Sequence, residues 1–230
     1  MKIKQYVPLA FLAALLAGFG IVADEVNEGE TLGFDNAVLM ALRVPGDPST
    51  PIGPSWLPEA ARDITALGSF SVLTILVVGV VAFLAITGKR ATALFLTVSV
   101  LGGTAISTVL KILFDRPRPE LTGVAKVFTA SFPSGHATIS AVVYLTLGAL
   151  LAEISESRQL AGFFYVSAVF LTVLVGLSRI YLGVHFPTDV VAGWSIGSAW
   201  ALLCLLVFSA VRKRWTSPNS GAAPDPTARP

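Results

Sequence analysis

Charge is scarce in this 230-residue sequence: only 13% of its residues are Asp, Glu, Lys or Arg, against roughly 25% in soluble domains. With 54% hydrophobic residues and a mean hydropathy of +0.76, the chain cannot cover a soluble globule of this size with polar surface. The same composition excludes a disordered chain. A formal net charge of +2 is too small to hold a nucleic acid. One cysteine, Cys204, excludes an internal disulfide and a cysteine-rich metal cluster. Histidine is nearly absent as well, so imidazole chemistry is confined to His136 and His185. No internal repeat is present. What the sequence does have is long apolar runs, and these make it a membrane protein.

Crossing the hydrocarbon core as a helix takes about 20 apolar residues. Runs of that kind cover about 5–23, 66–88, 91–114, 135–152, 161–181 and 187–210. They predict an all-α polytopic membrane protein with six transmembrane helices in one membrane-embedded domain over residues 1–214. The first run, preceded by Lys2 and Lys4, also has the outline of a signal peptide. Its length and its poor small-x-small pattern around Gly20–Ala23 favour a retained helix.

Basic residues collect in cytoplasmic loops. With the N-terminus inside and six alternating helices, the inside carries nine basic residues and three acids, anchored by Lys89, Arg90 and the run Arg212-Lys213-Arg214. The other seven basic and eleven acidic residues fall outside. Both termini are then cytoplasmic in a multi-pass inner-membrane protein. Residues 24–65 form the long outer segment. Phe34, Val38, Ala41 and Leu42 recur there at helical spacing, as do Leu57, Ala60, Ala61 and Ile64. They predict short interfacial helices with Trp56 at headgroup level, or else a solvated linking loop. Residues 215–230 read as a disordered cytoplasmic tail.

Three polar segments fall on the outer side of that topology. The first runs Lys111 to Pro119 and includes Asp115-Arg116-Pro117-Arg118; the second is Ser131-Phe132-Pro133-Ser134-Gly135-His136; the third runs Ser178-Arg179 to His185 and Asp189. Lys111, Arg116, Arg118 and Arg179 bring cations to one outer cavity. A cation deep in an apolar helix costs about 2.5–3.5 kcal/mol on insertion scales. Lys111 can meet that cost by snorkelling. Arg179 follows a long uncharged run, and its role is to bind an anion or to pair with Asp189. Ser134-Gly135-His136 opens a helix, where free N–H groups suit an oxyanion; a plain Ser N-cap is the alternative. His185 and Asp189, four apart with Pro187 between them, predict a shared face at a helix start. Asp189 would then set the His185 tautomer and leave the other ring nitrogen free, unless the pair is merely structural.

Lys111 with six residues before Arg118-Pro119, Pro133-Ser134-Gly135-His136, and Ser178-Arg179 spaced to His185 and Asp189 together resemble the three-part signature of the type 2 phosphatidic acid phosphatases, or lipid phosphate phosphatases. The resemblance covers residues 111–189. It implies a six-helix antiparallel bundle and an integral membrane enzyme that hydrolyses a phosphate monoester or pyrophosphate on a lipid. It implies His185 as nucleophile through a phosphohistidine, Asp189 as its orienting partner and His136 as acid and base. Lys111, Arg118, Ser134, Gly135 and Arg179 would hold the phosphoryl oxygens. Arg116 lies outside the signature. No cofactor and no metal is implied, and the partners are the lipid phosphate substrate and the bilayer. Undecaprenyl pyrophosphate, phosphatidylglycerol phosphate, phosphatidic acid and a lipid A phosphate are the candidate substrates, the first two favoured by analogy. A lipid A phosphatase or phosphotransferase would use the same residues. A phosphate-solute transporter would need polar residues through the membrane midplane, and these helices carry few.

Overall fold

The computed structural model describes residues 3–121 and 129–216. Its helices are α1 (Ile3–Glu28), α2 (Leu32–Ala41), α3 (Trp56–Ala66), α4 (Phe70–Ile86), α5 (Arg90–Phe114), α6 (Gly135–Glu153), α7 (Arg158–Tyr181) and α8 (Pro187–Thr216). A short antiparallel hairpin, β1 (Arg43–Val44) with β2 (Asp47–Pro51), lies between α2 and α3. Five helices, α1 and α5 to α8, are long and apolar enough to cross a membrane. Helices α3 and α4 pass the same test only as a pair, joined at a 41° bend, and taken as one span they bring the number to six.

The apolar run expected at 66–88 forms the continuous helix α4, and the bend lies at its start. The Ser69 hydroxyl accepts from the Val72 N–H and starts a new helix. Gly68 lies in the bend, where an added Cβ would collide with Val175 of α7 and touch the His136 ring of α6. Only glycine lets the chain turn this close to its neighbours. The Tyr144 hydroxyl donates to the Leu67 carbonyl at 2.7 Å and pins the bend to α6. The segment 24–65 contains the two short helices that its apolar spacing predicts, and the hairpin between them is an addition. Trp56 begins α3 and is exposed. Helix α8 runs to Thr216; the tail reading from 217 onward lies outside the described residues.

Helix α6 is the centre of the bundle and packs against α5, α7 and α8, while α1 packs along α8. In lipid there is no hydrophobic drive to join helices, so close backbone packing and interhelical hydrogen bonds do the work. Gly193 and Gly197, four apart on α8, supply that approach. An added Cβ would lie 2.8 Å from the Ser134 carbonyl at Gly193 and 2.5 Å from the Thr138 carbonyl at Gly197. Two indoles tie α8 to its other neighbours, Trp194 donating to the Thr172 carbonyl at 3.0 Å and Trp200 to the Ser99 carbonyl at 2.8 Å. Large apolar side chains such as Ile75, Ile112 and Phe170 point outward, as contact with acyl chains requires.

Gly197→Ala forces α6 and α8 apart against backbone, an overpacking that costs about 1–3 kcal/mol. The expected readout is a fall in Tm of several degrees in detergent; an unchanged Tm would refute the close crossing.

Candidate functional site

The three polar segments of the sequence meet at one end of the bundle. Helix α5 ends at Asp115, whose left-handed backbone (φ 39°) redirects the chain. The Ser131 N–H then donates to the Arg116 carbonyl at 2.8 Å, and the Ser134 N–H to the Asp189 carbonyl at 2.9 Å. Helix α7 closes with Gly183 N–H on Ile180 and Val184 N–H on Arg179. Gly183 takes the positive φ, 70°, that this glycine-ended cap demands. Pro187 begins α8, and Asp189 in its first turn accepts the Phe186 N–H at 2.9 Å, the acidic half of a capping box.

His185 therefore precedes α8 and does not share a helical face with Asp189, as the i,i+4 spacing suggested. The contact survives because the non-helical turn folds the ring over the first turn, with Nδ1 3.4 Å from Asp189 Oδ2. Ser131 completes this side: its hydroxyl donates to Asp189 Oδ2 at 2.5 Å and lies 3.2 Å from His185 Nδ1. On the other side of the ring, Arg118 Nη1 approaches Nε2 at 3.1 Å. A guanidinium can only donate, so Nε2 is the acceptor and Nδ1 carries the proton toward Ser131 and Asp189. His185 is buried, and burial pushes its pKa down to about 3 against the opposing pull of Asp189. The ring is a neutral base with its Nε2 lone pair facing the cationic cluster.

Lys111, Arg118 and Arg179 make up that cluster, and none of them has a carboxylate partner among the described residues. Lys111 does not snorkel; its ammonium donates to the Ala130 carbonyl at 2.6 Å, and its stem passes beside Gly135. Arg118 is held by the Thr129 carbonyl (2.8 Å), Thr129 Oγ1 (3.0 Å) and the Val184 carbonyl (2.7 Å). Arg179 donates to Thr65 Oγ1 of α3 at 3.0 Å, not to Asp189. Its Nε is buried without a partner among the described residues, as is the Ser134 hydroxyl. Ser134 precedes α6 but makes no side-chain cap, which removes the plain N-cap reading. His136, half-buried in the first turn of α6, lies within electrostatic reach of Arg179, His185, Arg118 and Lys111. Unpaired cations and orphaned donors around a neutral imidazole describe a place for an oxyanion beside a nucleophile.

Arg116, grouped by the sequence with the cavity cations, faces the other way. It bridges Asp189 Oδ1 and Asp35 Oδ2 of α2, at 2.8 Å each. Three further participants carry no motif signal: Asp35, Thr65 and Thr129. They reach the site from segments whose sequence reads as ordinary helix or loop.

The chain matches the family model described as PAP2 superfamily over residues 92–213. Phosphatidylglycerophosphatase B of Bacillus subtilis is 35% identical over 146 residues, covering 62% of this chain and 70% of that protein. Undecaprenyl-diphosphatase of Sulfolobus acidocaldarius is 35% identical over 79 residues, 34% of each chain. The crystal structure of the transmembrane PAP2-type phosphatidylglycerolphosphate phosphatase from Bacillus subtilis superposes with a TM-score of 0.79 at 29% identity, covering 90% of this chain and 98% of that one. A match of this extent, over the helices that carry the three site segments, means that the chain belongs to the PAP2 superfamily and is a multi-span membrane phosphatase acting on lipid phosphates.

Proposed function

We propose that this protein removes a terminal phosphate from a membrane lipid through a phosphohistidine on His185. The observation that carries this reading is the setting of the buried His185 ring, with Nδ1 against Asp189 and Ser131 and Nε2 facing Arg118, one of three cations that lack carboxylate partners among the described residues. Lys111, Arg118, Arg179, the Ser134 hydroxyl and the backbone at Gly135 hold the phosphoryl oxygens and the charge that grows on them. Nε2 bonds to phosphorus as the bond from phosphorus to the lipid oxygen breaks, and His136 protonates that oxygen. His136 then takes a proton from water, whose oxygen displaces His185 and releases inorganic phosphate. Asp189 balances the positive charge on the phosphorylated ring.

The substrate reading favours phosphatidylglycerol phosphate, since the relative named for that reaction is matched over most of its length in sequence and in structure. Undecaprenyl pyrophosphate is the second reading, supported by a shorter match; phosphatidic acid, a lipid A phosphate and phosphotransfer to a lipid A sugar remain chemically open to the same residues. The charge bias of Lys89, Arg90 and Arg212 to Arg214 supports cytoplasmic termini and a site opening on the periplasmic side. We infer one domain over residues 1–214, because α2 and α3 contribute side chains to the same site as α5 to α8.

Phosphate release from a panel of these lipids in detergent, with chelator present, tests the reading. His185→Ala should lose turnover and the acid-labile phosphoenzyme while keeping its Tm; retained turnover would remove His185 as nucleophile. His136→Ala should lower kcat about 10²–10⁴-fold on a monoester and less on a pyrophosphate, whose leaving group is already acidic. Equal losses on both would remove the general-acid role. Because burial disfavours the His185 cation, the neutral nucleophile persists as pH falls. In His136→Ala acting on an activated phosphate ester, phosphoenzyme formation should stay level through pH 6.5 and decline only toward about 3. A decline centred at 6.5 that stays in place when the ester's own second ionisation is moved by changing its leaving group would contradict the buried, neutral ring.

A further inference from the structure

Helix α2 lies outside the residues matched by the family model, yet it places a fully buried carboxylate beside the site. Asp35 Oδ2 accepts from Arg116 Nη2 at 2.8 Å and from Thr188 Oγ1 at 2.7 Å, and Oδ1 accepts from the Thr188 N–H at 3.1 Å. Arg116 is itself buried. Its Nη1 reaches Asp189 Oδ1 at 2.8 Å and Thr188 Oγ1 at 2.9 Å, and its Nη2 also reaches Thr31 Oγ1 at 3.2 Å. The guanidinium lies 4.3 Å from the centre of the Phe186 ring. Both terminal nitrogens of this arginine are thereby used twice, and it is held between two carboxylates.

The charges explain why two are needed. Arg116 orients Asp189 by occupying Oδ1, leaving Oδ2 for Ser131 and His185. Alone, Arg116 would also cancel the negative charge that Asp189 presents to the ring. Asp35 neutralises Arg116, so the Asp35–Arg116–Asp189 triad keeps one net negative charge, and that charge balances a positive His185. From this arrangement we infer that Asp35 is a positioning residue for the phosphoryl-transfer step: through Arg116 it orients Asp189 and preserves the negative charge that stabilises the phosphorylated His185 ring. The inference rests on the reading of His185 as nucleophile.

The experiment compares wild type, Asp35→Asn, Asp35→Asn/Arg116→Gln, Thr31→Val and His185→Ala in detergent. It measures kcat on phosphatidylglycerol phosphate, inhibition by inorganic phosphate, and Tm. Asp35→Asn should lower kcat on the order of ten- to a hundredfold, the scale on which supporting groups act at other sites, with the inhibition constant for phosphate changed by less than about threefold. Adding Arg116→Gln removes the positive charge left without its partner and should recover part of the lost kcat. Wild-type kcat in Asp35→Asn overturns the inference. So does a parallel loss of kcat, phosphate inhibition and Tm that the second substitution worsens, because that is the behaviour of a scaffold contact alone. If Asp35→Asn does not fold, Thr31→Val decides: it drops one bond to Arg116 and should lower kcat about two- to fivefold with phosphate inhibition unchanged, whereas unaltered kcat overturns the inference. Activity in His185→Ala would instead refute the nucleophile reading, which separates the two failures.

Discussion

A carboxylate buried at the edge of a membrane domain must find positive charge and hydrogen-bond donors or it will not stay ionised. Asp189 meets that demand through both carboxylate oxygens, and its backbone carbonyl is bonded as well. Its backbone carbonyl receives Ser134, one carboxylate oxygen receives Arg116, and the other receives Ser131, the Phe186 N–H and the His185 ring. These partners come from the loop after α5, the entry to α6 and the turn after α7, all converging on the first turn of α8. Satisfying one buried anion therefore assembles the three segments that carry the chemistry and sets the tautomer of the histidine among them.

The cations obey the opposite logic. Arg116 is fully compensated by two carboxylates, whereas Lys111, Arg118 and Arg179 are held mainly by carbonyl and hydroxyl oxygens. Neutral acceptors fix the direction of a cation without cancelling its charge. The cluster thus retains positive charge for a phosphate, at a cost in folding that a bound anion offsets. The neutral His185 belongs to the same economy, since a charged ring among three cations would be repelled by all of them.

Packing against lipid shapes the rest. Gly193 and Gly197 bring α6 and α8 into backbone contact, and this crossing sets the entry of α6 against the first turn of α8, where the Ser134 N–H meets the Asp189 carbonyl. Gly68 does the same for the bent α3–α4 span, which touches His136 and supplies Thr65 to Arg179. A broken span is tolerated because the bend is covered by protein and its Leu67 carbonyl is satisfied by Tyr144.

Much was legible in the residues alone. The scarcity of charge and the length of the apolar runs determine a multi-span membrane protein, because hydrocarbon accepts only helices that satisfy their own backbone. The spacing of Lys111, Arg118, Ser134, Gly135, His136, Arg179, His185 and Asp189 carries the family, since catalysis at phosphorus needs those types in one place. Local periodicity also found α2 and α3. What tertiary structure decided is which polar group faces which. The sequence could not place His185 in a turn ahead of α8 or keep Arg179 from Asp189. Nor could it turn Arg116 away from the other cations to meet Asp35, 81 residues away along the chain. Motif spacing records short-range geometry, whereas the pairing of buried charges depends on desolvation, which exists only once the helices have closed around them.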